Sequence, residues 1–401
     1  MRPGHRLLQV AHRWLLAVVL AAGGTLPEAA GPAGRCWAQA AGEAQVANAE
    51  SSLNAARQLV RQLGDPSLQR RDEASRQLVE LANEAVIKAA EEGLRSADAE
   101  VRRRCRVILD RVHTLIHQRQ LAEFIQHPER DVQLPGWERF RKLVGEDAVA
   151  RALFADMQSA EPELLRLAEQ PSRALPALLE DRMRELHPPN FGMEQPVSVD
   201  SVAALMFVAC HDDIRPTADT VHRLQQVAFQ QVFRYAVQTG PRKDALRKLV
   251  DAWIRATLDE GELYTHVRLA LLLQLEAGVQ AAWKLLEQQG LPPDAQLLAV
   301  LTVGRFGTAA DIPKLERHLE NTATVLQQPR PQGVVRTQVR DVVLAVLLHL
   351  AGENLADYGL GHLAASSDTL YDPSSIYFES DEARAAALEK WRSRQNRADR
   401  E

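Results

Sequence analysis

The chain has 401 residues, of which 46% are hydrophobic, 25% charged and 5% aromatic. That length and apolar content suffice for more than one packed core and exclude disorder as the default state. A formal net charge of −5 is poorly suited to nucleic acid, whose affinity comes largely from phosphate neutralisation, so nucleic acid is not an expected partner.

Arg2, Arg6 and Arg13 precede an apolar run from Trp14 to Ala22, and small residues then lead to Ala38-Gln39-Ala40. This order predicts a signal peptide over residues 1–40 and an exported protein of a bacterial periplasm or cell envelope. The apolar run falls well short of the roughly 20 residues that cross a bilayer, so no membrane span is expected after the signal is removed. Arg35 before Cys36 argues against a lipidated cysteine. Removing Arg2, Arg6, Arg13, Arg35 and Glu28 leaves 44 basic and 52 acidic residues, a charge of −8. Cys105 and Cys210 remain, each within an apolar helical pattern. They read as buried thiols, with a disulfide in an oxidising compartment as the alternative.

Residues 41–53 are small and polar and read as a linker. Residues 54–126 read as four helices making two hairpins. A turn recurs there 33 residues apart: Asp65-Pro66-Ser67-Leu68 precedes Arg70-Arg71, and Asp98-Ala99-Glu100-Val101 precedes Arg103-Arg104. A period of this size is expected of helical repeat arrays. The 33-residue alignment soon fails, because Leu78 falls on Arg111. Val101, Cys105, Ile108, Val112 and Leu115 form one apolar face, with Arg102, Arg103 and Arg106 on a solvated flank.

Residues 127–190 read as a helical subdomain. It opens on Leu134-Pro135-Gly136-Trp137 and has helices marked by Val149, Leu153 and Met157 and by Leu175, Leu179 and Met183. His187-Pro188-Pro189-Asn190 breaks the pattern. Residues 191–401 read as a further helical subdomain with C-terminal repeats. Val202 to Cys210 is almost continuously apolar and predicts a helix buried on most sides. Leu224, Ala228, Val232 and Tyr235 predict one helix up to Gly240-Pro241, and Leu246, Leu249, Val250, Trp253 and Ile254 another. Further helices are predicted near 263–276, 278–289, 294–304, 311–320, 338–351 and 381–394. No strand pair is expected.

Asn321 to Thr337 therefore reads as a loop far longer than a helical hairpin needs, and such loops are often functional. Val325, Leu326, Val334 and Val335 are mixed there with Arg330 and Arg336, and Arg340 opens the next helix. Apolar anchors beside arginines suit a protein interface, which makes Arg330, Val334, Val335, Arg336 and Arg340 the candidate partner-binding residues.

Asp98 to Arg104, Gly307 to Leu315 and Gln338 to Val342 resemble HEAT-like repeats, the armadillo-type helical hairpins also found in phycobilin-lyase-related proteins. Leu134 to Phe140, Leu350 to Asn354 and Asp381 to Trp391 are similar to a group of exported HEAT-like bacterial proteins of uncharacterised function. The resemblance covers about two thirds of the chain beyond residue 40 and is weak over 190–262. It implies an α-α superhelix of degenerate repeats and a binding role, and it supplies no catalytic residues.

Chemistry-bearing motifs are sparse. His113 and His117 stand four apart on a helix, but the Glu of a zinc-protease motif is missing. Cys210-His211-Asp212-Asp213 clusters ligand types on one short stretch of backbone. Gly359-Leu360-Gly361-His362-Leu363-Ala364 matches a dinucleotide fingerprint formally but lacks the strand before it and the helix after it. Trp137, Trp253, Trp283 and Trp391 have helical spacing that suits packing better than a ligand platform. No catalytic residue, cofactor or metal is expected. The reading is an exported, non-enzymatic adaptor or scaffold of the cell envelope that binds a protein. The alternative is a lyase-like or metal-dependent enzyme on the same repeats.

Overall fold

The computed structural model describes residues 48–169, 174–186, 198–330 and 333–398. The signal peptide read over 1–40 lies outside them. Among the described residues the fold is all-α apart from one two-stranded hairpin, and the chain divides into two compact units, Met1–His117 and Gln118–Glu401.

The first unit contains α1 (48–62), α2 (Leu68–Leu81), α3 (Glu84–Gly93) and the start of α4 (Ala99–Gln126). The predicted linker over 41–53 is corrected at its end, since α1 takes in residues 48–53. Leu53 packs there with Ala56 and Val60 against the core of this unit, at three- and four-residue spacing along one helix face. Asn83 caps α3 by accepting from the Val86 amide at 3.1 Å.

The two turns are equivalent, at an offset that explains the failed alignment. Arg71 reaches back to the carbonyls of Asp65 and Pro66 at 2.8 and 3.2 Å. Arg102 does the same to Ser96 and Ala97, both at 2.8 Å. Arg71 thus corresponds to Arg102, and by the same step of 31 Ala74 falls on Cys105 and Leu78 on Leu109, all buried. Both turns have five residues between their helices, and at the offset of 31 Asp65 corresponds to Ser96 and Ser67 to Asp98, so the 33-residue match of the acidic residues joins positions that are not equivalent.

The second unit has two apolar clusters. The first gathers α5 (Trp137–Leu143), α6 (Ala148–Ala160), α7 (Pro162–Ala168), α8 (Leu175–Leu186), α9 (Val199–Ala209), α10 (Ala218–Ala228), α11 (Gln231–Gln238), α12 (Lys243–Ala256) and part of α13 (Leu263–Leu273). Its members come from both sides of position 190, so the subdomain boundary expected there divides no core. α9 is buried from Ser201 to Ala209, as its continuous apolar run requires. Phe124, Trp137, Phe140, Phe154 and Phe207 pack ring against ring. Gly136 starts α5 at φ +84, where a Cβ would meet Phe207 at 3.2 Å; the turn and the close approach both require glycine.

One predicted helix is corrected to two. The span from Leu224 to Tyr235 breaks at Phe229-Gln230, and this resets the phase: Phe233 and Val237 are buried while Val232 and Tyr235 face solvent.

The second cluster contains the rest of α13, α14 (Gly278–Leu286), α15 (Pro293–Phe306), α16 (Ile312–Glu316), α17 (Val339–Leu350) and α18 (Asp381–Ala398). α17 is buried from Val342 to Leu348, and Trp391 of α18 is fully buried with it.

Candidate interaction surface

The expectation of a loop over Asn321 to Thr337, and of no strand pair, is overturned. The segment forms an antiparallel hairpin of β1 (Thr324–Arg330) and β2 (Gly333–Gln338). Pro329 lies within β1 opposite Val334, a place open to proline because a two-stranded ribbon offers only edge strands.

Alternation along the strands gives the ribbon two faces. Thr337 is buried and Leu326, Gln328 and Val335 are half-buried, whereas Gln327, Pro329, Val334 and Arg336 are exposed. Gln327 pairs with Arg336 and Pro329 with Val334, so these four residues share the outward face.

The base of the ribbon is fastened on several sides. The Val339 amide donates to Ala323 O at 2.9 Å and the Arg340 amide to Asn321 O at 3.0 Å, carrying the ladder into α17. Asp341 Oδ2 accepts from the Gln338 amide at 2.8 Å, completing a capping box. Arg384 of α18 donates through Nε to Asp341 Oδ1 at 2.7 Å and through Nη2 to Arg336 O at 2.8 Å. Burial raises the Asp341 carboxyl above the ordinary range, against the opposite pull of Arg384 and the Gln338 amide. The Thr337 hydroxyl donates to Ile376 O. Gln328 Nε2 and Arg330 Nη2 both reach Ser374 O, at 3.0 and 3.3 Å.

The candidate partner-binding residues are thus divided among different roles. Val334, at 62% exposure, and Arg336 stand together on the outward face. Val335 turns to the other face. Arg330 lies over the Tyr377 ring at 4.7 Å, and Arg340 holds Gln338 Oε1 through Nε at 2.6 Å. Gln327 and Pro329, not singled out from the sequence, complete the face. Arg384 and Asp341 were missed as well. The spacing of Gln338 and Asp341 signals a helix cap, but the pairing with Arg384 has no local signal.

Elsewhere the chemistry is subdued. The Cys105 thiol is pushed up to about 11 by burial and the Cys210 thiol to about 12, where loss of solvent outweighs nearby Arg139. Both are free and protonated at neutral pH, a form that neither attacks nor ligates well. Gly359 ends a short 3-10 turn, Leu355–Tyr358, at φ 75, so the formal fingerprint sits in a loop. Trp137, Trp253 and Trp391 are core residues, and Trp283 donates to Asp311 at 2.9 Å. A groove of about 440 Å³ between α2 and α4 has Val79, Val107 and Ile108 on its floor. Three of its arginines are already engaged, Arg104 with Asp72 and Glu100, Arg103 with Glu100, and Arg76 with Glu73. The Arg103 and Arg104 guanidinium groups hold the Glu100 carboxyl at about 2.

Among the described residues no helix is long and apolar enough to cross a membrane, and no group of three His, Cys, Asp or Glu side chains could hold a metal ion. Compared with known families, curated proteins and solved structures, the chain has no match.

Proposed function

We propose that this chain is an exported, non-enzymatic α-superhelical protein, an adaptor or scaffold of a bacterial cell envelope, that engages a protein partner through the outward face of the β1–β2 hairpin. The observation that carries the reading is the pairing of Pro329 with Val334 and Gln327 with Arg336 on an exposed face whose base is locked by Asp341 and Arg384. A rigid, solvent-facing patch combining an apolar residue with an arginine loses little entropy on docking. The N-terminal order of arginines, apolar run and Ala38-Gln39-Ala40 supports export.

The test is affinity capture from the envelope fraction of the source organism with wild-type protein and with the V334S/R336Q variant. Proteins retained by the wild type are identified by mass spectrometry and re-bound in purified form. A partner retained by the wild type and lost by the variant is expected. Equal retention by both would remove the hairpin from the interface.

A further inference from the structure

Resting on that reading of the hairpin as an interface, we infer that its partner is an acidic, extended protein segment that lies along the outward face, with a carboxylate on Arg336 and an apolar side chain on Val334 and Pro329. Charge selects the class. Residues 321–340 include Arg330, Arg336 and Arg340 and no Asp or Glu, within a chain of net charge −5. Among the described residues Arg336 has no carboxylate partner, while Arg384 at the base of the ribbon is paired with both Asp341 and Asp381. An exposed guanidinium held on a ribbon offers a carboxylate two parallel hydrogen bonds.

Geometry selects the mode of docking. Strand addition needs a free edge of backbone N–H and C=O groups. On β2 the Arg336 carbonyl is taken by Arg384 Nη2 at 2.8 Å. Beside β1 the side chains of Gln328 and Arg330 hold the 373–375 segment at Ser374 O. With the middle of the β2 edge taken at Arg336 O and the 373–375 segment held beside β1, the side-chain face is the surface left open. Val334 and Arg336 are two residues apart on one strand, roughly 7 Å. An extended segment with an apolar and an acidic residue two positions apart has the same repeat.

Two fluorescein-labelled octapeptides, a Glu-Leu peptide made of two Glu-Ser-Leu-Ser repeats and a Lys-Leu peptide made of two Lys-Ser-Leu-Ser repeats, each with its charged and apolar residues two positions apart on one face, titrated against the full chain by fluorescence anisotropy, test the inference. The Glu-Leu peptide should bind and the Lys-Leu peptide should not. R336Q should weaken the Glu-Leu peptide about tenfold or more, as expected for loss of a charge-assisted contact. R336K should recover part of that loss, and V334S should weaken binding by a smaller factor. R106Q, on the other compact unit, should change nothing. Circular dichroism of each variant establishes that it is folded. Equal binding of the two peptides, or an R336Q variant that binds like the wild type, overturns the inference. So does retention by anionic phosphatidylglycerol vesicles with no binding of the Glu-Leu peptide. If V334S/R336Q loses its envelope partner while the Glu-Leu peptide never binds, the interface stands and the acidic class is wrong. If the peptide binds as described and envelope capture survives the double substitution, the face recognises acidic segments but is not the interface that the functional reading requires.

Discussion

The Arg384 guanidinium and the Asp341 carboxylate form an ion pair at 2.7 Å with both side chains almost wholly out of solvent, 4% and 0% exposed. The pair joins the first turn of α18 to the first turn of α17, and a second arm of the same guanidinium holds the Arg336 carbonyl of β2. Three elements therefore meet at one cation. Removing Arg384 leaves the buried Asp341 carboxylate without its cation, at a cost of about 3–5 kcal/mol, and removing Asp341 leaves the guanidinium with only the exposed Asp381 and the Arg336 carbonyl, whereas replacing both by apolar groups can be close to neutral. Asp341→Leu and Arg384→Met should each lower stability strongly in chemical denaturation. The double variant should be much less destabilised than the sum of the two. Additive losses would show that the pairing is not the stabilising contact.

Trp391 lies seven residues beyond Arg384, on the same face of α18. It is fully buried, and its indole donates to Glu316 at 2.9 Å. Trp391→Ala should cost about 3–5 kcal/mol from lost burial and the remaining cavity. Trp391→Phe keeps most of the apolar volume and loses the hydrogen bond to a half-exposed carboxylate, so about 1 kcal/mol is expected. A Trp391→Ala variant within about 0.5 kcal/mol of the wild type, a loss ordinary for surface positions, would mean that α18 does not seal this core.

These two anchors differ in how far the sequence discloses them. Trp391 and Leu388 share a face at helical spacing, so burial of that face is predictable from one helix alone. The same holds for Leu246, Leu249, Val250, Trp253 and Ile254 on α12, all buried. Asp341 and Arg384 are 43 residues apart, and nothing local connects them. The hairpin was hidden for another reason: a period of two over only six or seven residues is a weak signal, and Pro329, Gln327 and Gln328 dilute it. On α10 and α11 a change of direction at Phe229-Gln230 reversed the inside and outside assignment of Val232 and Tyr235. Val334 and Arg336 were legible as candidates from composition. Their shared face, and the exclusion of Val335, required the register.

His266 gives the fold a pH dependence of definite sign. The ring is fully buried, edge-on to Trp253, with Nε2 3.3 Å from Thr257 O and no hydrogen-bond partner at Nδ1. Burial lowers it from 6.5 to about 4. Between those values the unfolded chain takes up a proton that the folded chain refuses. Its contribution to stability is thus complete above about pH 6.5, is lost as pH falls towards 4, and amounts to about 3 kcal/mol. Denaturation midpoints at pH 7.5, 5.5 and 4.5 should fall more steeply for the wild type than for His266→Leu, which has no proton to bind. Parallel profiles would assign the acid sensitivity to other groups.

Gly304 is the position where helix propensity and packing make opposite forecasts. It lies in the last turn of α15, and a Cβ there would sit 2.7 Å from Leu370 Cδ2 and 2.8 and 2.9 Å from the two methyl groups of Val346. Propensity alone favours alanine by about 1 kcal/mol. Overpacking of a full core costs about 1–3 kcal/mol. Leu370 could turn aside, but Val346 is β-branched, fully buried and stiff at χ1, so the overlap with its methyl groups must move α15 or α17. Packing should win, and Gly304→Ala should lower stability by up to about 2 kcal/mol, the difference of the two effects. The decisive comparison adds Val346→Ala. That substitution alone opens a cavity, but combined with Gly304→Ala it relieves the overlap, so the double variant should be more stable than the sum of the single losses predicts. A Gly304→Ala protein as stable as the wild type would show that α15 and α17 are less tightly pressed together than these distances require.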